Sequence, residues 1–186
     1  MVMKKTTPAK QKCVLLDACI IIEAFNLGVW ESLIERAEVL VSSIVAHEET
    51  LFHVKGRLPE PINMKRLIAE GKVQEFAATA SQMAGLRLCF DRRFVEGLHE
   101  GELEALALIH ENLVGEALYS SGDANAIRAL AMLGHSDRGI SMERLLKTTG
   151  LQKTVAPQFG DSLFRRCIGE GKQSRITGEG LNKSIV

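Results

Sequence analysis

Short unbroken apolar runs alternate along this chain with longer stretches of helical spacing. Cys13-Val14-Leu15-Leu16-Asp17 has no polar face until its last residue, so it reads as a strand buried on both sides. Glu38-Val39-Leu40-Val41-Ser42 reads as a second strand, Lys72-Val73-Gln74-Glu75-Phe76 as a third, and Ala117-Leu118-Tyr119-Ser120 as a fourth. Helical spacing runs from Ala18 to Phe25, from Val29 to Ala37, from Met64 to Glu70 and from Thr79 to Cys89. Another helix is capped by Ser42 or Ser43 and carries Val45, Leu51 and Phe52 as apolar contacts. Gly101 opens one with Leu103, Leu106, Ala107 and His110 on a single face. Ala124 to Leu133 is strongly apolar and closes at Gly134, and Ile140 to Thr149 closes at Gly150. Residues 55–63 contain both prolines of Leu58-Pro59-Glu60-Pro61 and read as a loop. Buried strands alternating with helices predict an α/β fold, with a mostly parallel sheet covered on both faces.

A chain of 186 residues suits one domain with a full core, and 46% apolar residues fit a globular body. Aromatic residues make up 5%, which argues against base stacking as the main means of holding nucleic acid. Cys13, Cys19, Cys89 and Cys167 form no CxxC pair and read as reduced thiols of a cytoplasmic protein. The apolar run after the basic start carries Asp17 and Glu23, so it fails as a secretory segment and as a membrane span.

The neutral total charge divides unevenly: +4 over residues 1–12, −7 over 13–152 and +3 over 153–186. Residues 1–12 read as a flexible basic lead-in, 13–152 as an acidic folded body, and 153–186 as a basic extension. From Thr154 glycine content rises and periodicity fades, and the last dozen residues read as disordered. Basic tails suit contact with a polyanion, and equally suit a purely solubilising role.

Asp17 is the informative charge, because a surface role does not fit the end of a buried run. Glu48, Glu102 and Asp123 fall on comparable junctions, in Ser42-Ser43-Ile44-Val45-Ala46-His47-Glu48-Glu49, Gly101-Glu102-Leu103-Glu104-Ala105 and Ser121-Gly122-Asp123. Ligands of parallel α/β sheets bind outside the carboxyl ends of the strands, where such positions converge. Four clustered carboxylates repel, raise one another's pKa values and call for a cation; all-oxygen donors favour Mg²⁺ or Mn²⁺. Such a site suits metal-dependent hydrolysis of a phosphodiester.

These segments, in this order, resemble the PIN domain family of nucleases. Leu15-Leu16-Asp17 before a helix resembles the family's first motif, and Ser42 six residues before Glu48 its second. Gly101-Glu102-Leu103-Glu104-Ala105-Leu106-Ala107 is similar to the GE-x-EA helix of a bacterial and archaeal subgroup, and Ser121-Gly122-Asp123 to the T-x-D strand end. Ile140 to Leu146 with Gly150 resembles the subgroup's closing helix, so the likeness covers residues 13–152.

The resemblance implies a Rossmann-like three-layer α/β/α fold, with Asp17, Glu48, Glu102 and Asp123 holding Mg²⁺ or Mn²⁺ and Ser121 orienting a ligand. It implies an endoribonuclease acting on an RNA substrate. Many members are toxins paired with an antitoxin protein, and many form homodimers. An inactive PIN-fold binding module for RNA or a protein partner, and a DNA-cleaving nuclease, stand as the alternatives. Glu49 competes with Glu48, and the serine spacing favours Glu48; Glu104 competes with Glu102. Asn125 stands near a position where some members carry a further acid, and residues from 153 onward have no counterpart. His47-Glu48-Glu49-Thr50-Leu51 lacks the second histidine of a zinc HExxH helix. Arg92, Arg93 and Arg128 are candidates for phosphate contact or plain surface charges.

Overall fold

Cys13–Leu16 (β1) lies at the centre of a four-stranded sheet, between Glu38–Ser42 (β2) and Leu118–Ser120 (β6), in a computed structural model describing residues 12–50, 52–55 and 58–182. Val73–Phe76 (β5) completes the sheet beyond β2, and every neighbouring pair is parallel. Register pairs Val14 with Val39 on one side and with Leu118 on the other. The chain runs from β1 outward through β2 to β5, then returns to the opposite side of β1 as β6. The strand order therefore reverses between β1 and β6, which opens a crevice at their carboxyl ends.

The alternation of side chains in each strand divides the core into two layers. Val14, Leu16, Val39 and Val41 face one layer, filled from the helices Ala18–Asn26 (α1), Trp30–Arg36 (α2), Met64–Ala69 (α3) and Met142–Thr148 (α8). Leu15, Leu40 and Tyr119 face the other, filled from Ala80–Leu88 (α4), Glu100–His110 (α6) and Ala124–Met132 (α7). A single turn, Arg92–Val95 (α5), links α4 to α6. The expected α/β fold, with a parallel sheet between helical layers, is the observed one.

Three stretches depart from the sequence reading. First, residues 55–63 are not a plain loop. Phe52–Lys55 (β3) and Leu58–Pro61 (β4) pair as an antiparallel ribbon, and Phe52 belongs to that ribbon rather than to a helix. Prolines fit there because Pro59 and Pro61 are two residues apart, so their missing N–H groups fall on one side of a two-stranded edge. The ribbon is anchored by the His53 ring, stacked on Phe25 with centroids 5.0 Å apart.

Second, the helix expected after β2 winds as a π-helical turn over Val45–Glu49. Its closing bond runs from Thr50 N to Val45 O at 3.1 Å, and the Thr50 hydroxyl donates to the same carbonyl at 2.7 Å. Third, the region expected to lose structure forms the longest helix, Asp161–Thr177 (α9). It lies along α7, with Ile127, Phe164 and Cys167 forming a third apolar cluster between them. Glycine content here reflects close packing. A Cβ on Gly171 would collide with the Arg128 carbonyl oxygen and lie 2.8 Å from Ala131 Cβ. Leu51, the basic lead-in 1–11 and residues 183–186 lie outside the described residues.

Among the described residues no helix is long and apolar enough to cross a membrane.

The two helical glycines of α9 give a matched test. Gly171→Ala forces the α7–α9 contact apart and should destabilise by about 1–3 kcal/mol. Gly169 has nothing within 4 Å of an added Cβ, so Gly169→Ala should be neutral or stabilise by up to about 1 kcal/mol through helix propensity. Urea unfolding of both variants checks the sign difference.

Candidate active site

Asp17 leaves the end of β1 and caps α1, its Oδ1 accepting from Ala18 N at 2.7 Å. Its Oδ2 accepts from the Ser121 hydroxyl at 2.6 Å and from Cys19 Sγ at 3.1 Å. The backbone joins the same strands, with Asp17 N donating to Ser120 O at 3.0 Å. The carboxylate is only 4% exposed. Burial pushes its pKa up, the three hydrogen bonds oppose that, and the charge of Asp123 adds to the rise.

Asp123 follows β6 and caps α7, its Oδ1 accepting from Asn125 N at 2.7 Å and Ala126 N at 3.0 Å. Ser121 holds both acids in place, since its Oγ also accepts from Asp123 N at 3.0 Å. Ser121 is thus a positioning residue at the heart of the site.

Helix α6 is buried on nearly every side and carries two acids in opposite roles. Glu104 Oε2 accepts from Ile44 N at 2.7 Å, and its Oε1 accepts from Ala78 N at 3.1 Å. It ties together the segments that follow β2 and β5 and is absent from the cleft lining. Glu102 lines the cleft, with Oε2 accepting from His99 N at 2.9 Å. Burial, then the charges of Asp17, Asp123 and Glu49, push the Glu102 pKa up to about 8, against the His99 hydrogen bond.

The second motif is where the site differs from the sequence reading. Glu48, favoured by the serine spacing, is exposed and does not line the cleft. Glu49 lines it instead, its Oε1 accepting from Gly101 N at 3.1 Å. A π turn winds more widely than an α turn, so each residue beyond it is rotated backward and Glu49 takes up the inward direction. Gly101 matters for the same reason: a Cβ there would collide with the Glu49 carboxylate. Burial pushes the Glu49 pKa up, helped by the charge of Asp17.

Asp17, Glu49, Glu102 and Asp123 thus surround one cleft of about 290 Å³ at the reversal between β1 and β6. Its remaining wall comes from Ala18, Cys19, His99, Gly122, Gln158 and Phe159. Phe159 packs against Gly122 so closely that a Cβ there would meet Phe159 Cε1 at 2.5 Å. Cys19, Gln158 and Phe159 carried no signal of a site role in the sequence. Arg128 is engaged elsewhere, by Glu170 at 2.6 Å and the Asn125 amide oxygen at 3.0 Å. Arg92 pairs with Glu96 at 2.8 Å on the surface.

The donor set suits a hard cation. All four side chains offer oxygen; Asp123 Oδ2 and Glu49 Oε2 accept no hydrogen bond from the described residues, and Glu102 Oε1 has only His99 Nδ1 at 3.8 Å. Burial first, and then neighbouring negative charge, raises the pKa values of Asp17, Glu49 and Glu102, and a divalent ion would offset that cost. Among the described residues no three His, Cys, Asp or Glu side chains already stand in a metal-holding arrangement, so closing on an ion requires the carboxylates to turn.

No protein-family model, no curated protein and no solved structure matches the chain.

The raised pKa of Glu102 has a consequence for stability. Between about pH 5 and pH 8 the folded chain retains a proton that the unfolded chain has released. Stability therefore falls as pH rises through that window, and Asp17 and Glu49 act with the same sign. In chelator, Glu102→Gln should remove roughly a few kcal/mol of that pH dependence. Thermal unfolding of wild type and variant from pH 5 to pH 8 measures it; parallel curves would contradict the buried-carboxyl assignment.

Proposed function

We propose that the chain is a metal-dependent nuclease of the PIN type that hydrolyses RNA phosphodiester bonds. The single observation behind this reading is the gathering of Asp17, Glu49, Glu102 and Asp123 around one cleft at the strand-order reversal. Asp17, Glu49 and Glu102 have raised pKa values beside Asp123, and a purely structural role does not call for so many acids in one cleft. The resemblance of the four motifs supplies the nuclease chemistry and the RNA substrate.

In this reading Asp17, Glu49, Glu102 and Asp123 hold Mg²⁺ or Mn²⁺. The ion, when bound, supplies the positive charge that lets a phosphodiester enter an acidic cleft and that stabilises the charge developing on its oxygens. The protein's own part is to fix the donors. Ser121 and Ala18 N orient the Asp17 carboxylate, and the first turn of α7 orients Asp123. Gly101 N seats Glu49. His99 N orients Glu102, which would complete the donor set from α6. Phe159, packed on Gly122, forms one wall of the cleft.

A second reading has its own support. Each of the four carboxylates already accepts a backbone N–H, and among the described residues no three metal-ligating side chains stand ready. The acids would then serve as caps and ties in a PIN-like binding module.

Two experiments separate these readings. Calorimetry with Mn²⁺ should give binding below millimolar in wild type, weakened about tenfold or more in Glu49→Gln and left nearly unchanged in Glu48→Gln. Absence of binding at millimolar Mn²⁺ favours the binding module, and the reverse order of the two variants returns Glu48 to the site. Structured RNA incubated with Mn²⁺ should be cleaved by wild type and on the order of a hundredfold more slowly by Asp17→Asn or with chelator. Equal cleavage in all three sinks the nuclease reading.

A further inference from the structure

The acidic cleft does not end at Gln158. That residue also lines a larger open groove of about 1250 Å³, walled by α8, by residues 151–160 and by the start of α9. The geometry points to this groove as the seat of a single-stranded RNA segment flanking the bond held in the cleft. The assignment rests on the phosphodiester reading of the cleft and adds to it the path of the substrate.

Charge is the first argument. Lys147, Lys153 and Arg166 line the groove, against a single acid, Glu143. Glu143 is already committed, its Oε2 accepting from Asp161 N at 2.7 Å. Lys147 and Lys153 have no carboxylate partner among the described residues. Arg166 is 66% exposed and only loosely paired, its Nε lying 3.7 Å from a Glu170 carboxylate that Arg128 also holds. Exposed, uncommitted cations along a groove suit a phosphate backbone.

Continuity is the second argument. Gln158 stands between the two cavities, and its neighbour Phe159 forms the cleft wall against Gly122. A chain of phosphates leaving the cleft on this side passes Gln158 and meets the cations. The groove lining contains no aromatic residue, so bases gain no stacking platform there. Binding through phosphates alone is tolerant of sequence and strongly dependent on salt. An acidic peptide could satisfy the cations, but it would have no use for the cleft at the groove's end.

The test uses the full chain and a fluorescent single-stranded RNA of about a dozen nucleotides, followed by anisotropy in chelator across a salt series. Lys147→Ala/Lys153→Ala/Arg166→Ala should weaken binding about tenfold or more at low salt. It should also reduce the slope of log affinity against log salt by roughly 2, at about 0.7 per phosphate contact in a single strand. Lysine-to-arginine changes at 147 and 153 should retain the affinity. Asp17→Asn should keep the wild-type salt slope. With Mn²⁺ present, the triple variant should raise KM and leave kcat close to wild type.

Unchanged affinity and slope in the triple variant overturn the groove even if wild type cleaves RNA, which leaves the cleft reading standing. Lost RNA binding in a chain that never cleaves supports the groove and defeats the cleft chemistry instead. Retained RNA affinity together with lost binding of a polyglutamate peptide assigns the groove to a protein partner and overturns the proposal.

Discussion

Everything at the working edge of this sheet depends on one buried carboxylate. Asp17 sits where the central strand surfaces, and its two oxygens are shared among a backbone N–H, a hydroxyl and a thiol. Those donors come from both sides of the strand reversal, so the carboxylate binds β1 to the segment after β6. A neutral side chain of the same shape could keep several of those contacts. What the charge adds is a cost, because burial beside three other acids disfavours the ionised form.

Helix α6 shows how the fold separates an acid that ties segments together from one that lines the cleft. Glu102 and Glu104 are two residues apart and almost equally buried. Glu104 spends both oxygens on backbone N–H groups that the ends of β2 and β5 leave unpaired. Glu102 has one such bond and points the rest of its chemistry at the cleft. Their separation on the helix sends them to opposite neighbours, and the number of satisfied oxygens distinguishes the tie from the site.

The strands and most of the helices were legible because burial on both faces leaves unbroken apolar runs, as in Val14-Leu15-Leu16. The hairpin was not, since prolines that signal a loop are also tolerated at a two-stranded edge. Helix α9 was missed because glycine reads as a breaker when its partner surface is unknown. A signal was nonetheless present: α7 is apolar except along the line of Asn125 and Arg128, so its apolar surface is wider than one face of the sheet covers. Asp17, Glu102, Ser121 and Asp123 were legible from their places at element ends. Glu49 was only a rival to Glu48, because spacing along a sequence presumes α winding and the chain takes a π turn there. Phe159 and Gln158 lie in a stretch without periodicity, and only the tertiary fold brings them to the cleft.

The contact of Phe159 with Gly122 means that one wall of the cleft is borrowed from the segment beyond α8. A chain cut before residue 159 would keep all four acids but would strip from α7, the helix that Asp123 caps, the apolar cover that α9 provides. It would also lose the wall that Phe159 forms beside the acids. Such a shortened form would still present the motif to a reader of sequences, while its carboxylates behaved more like ordinary, solvated ones.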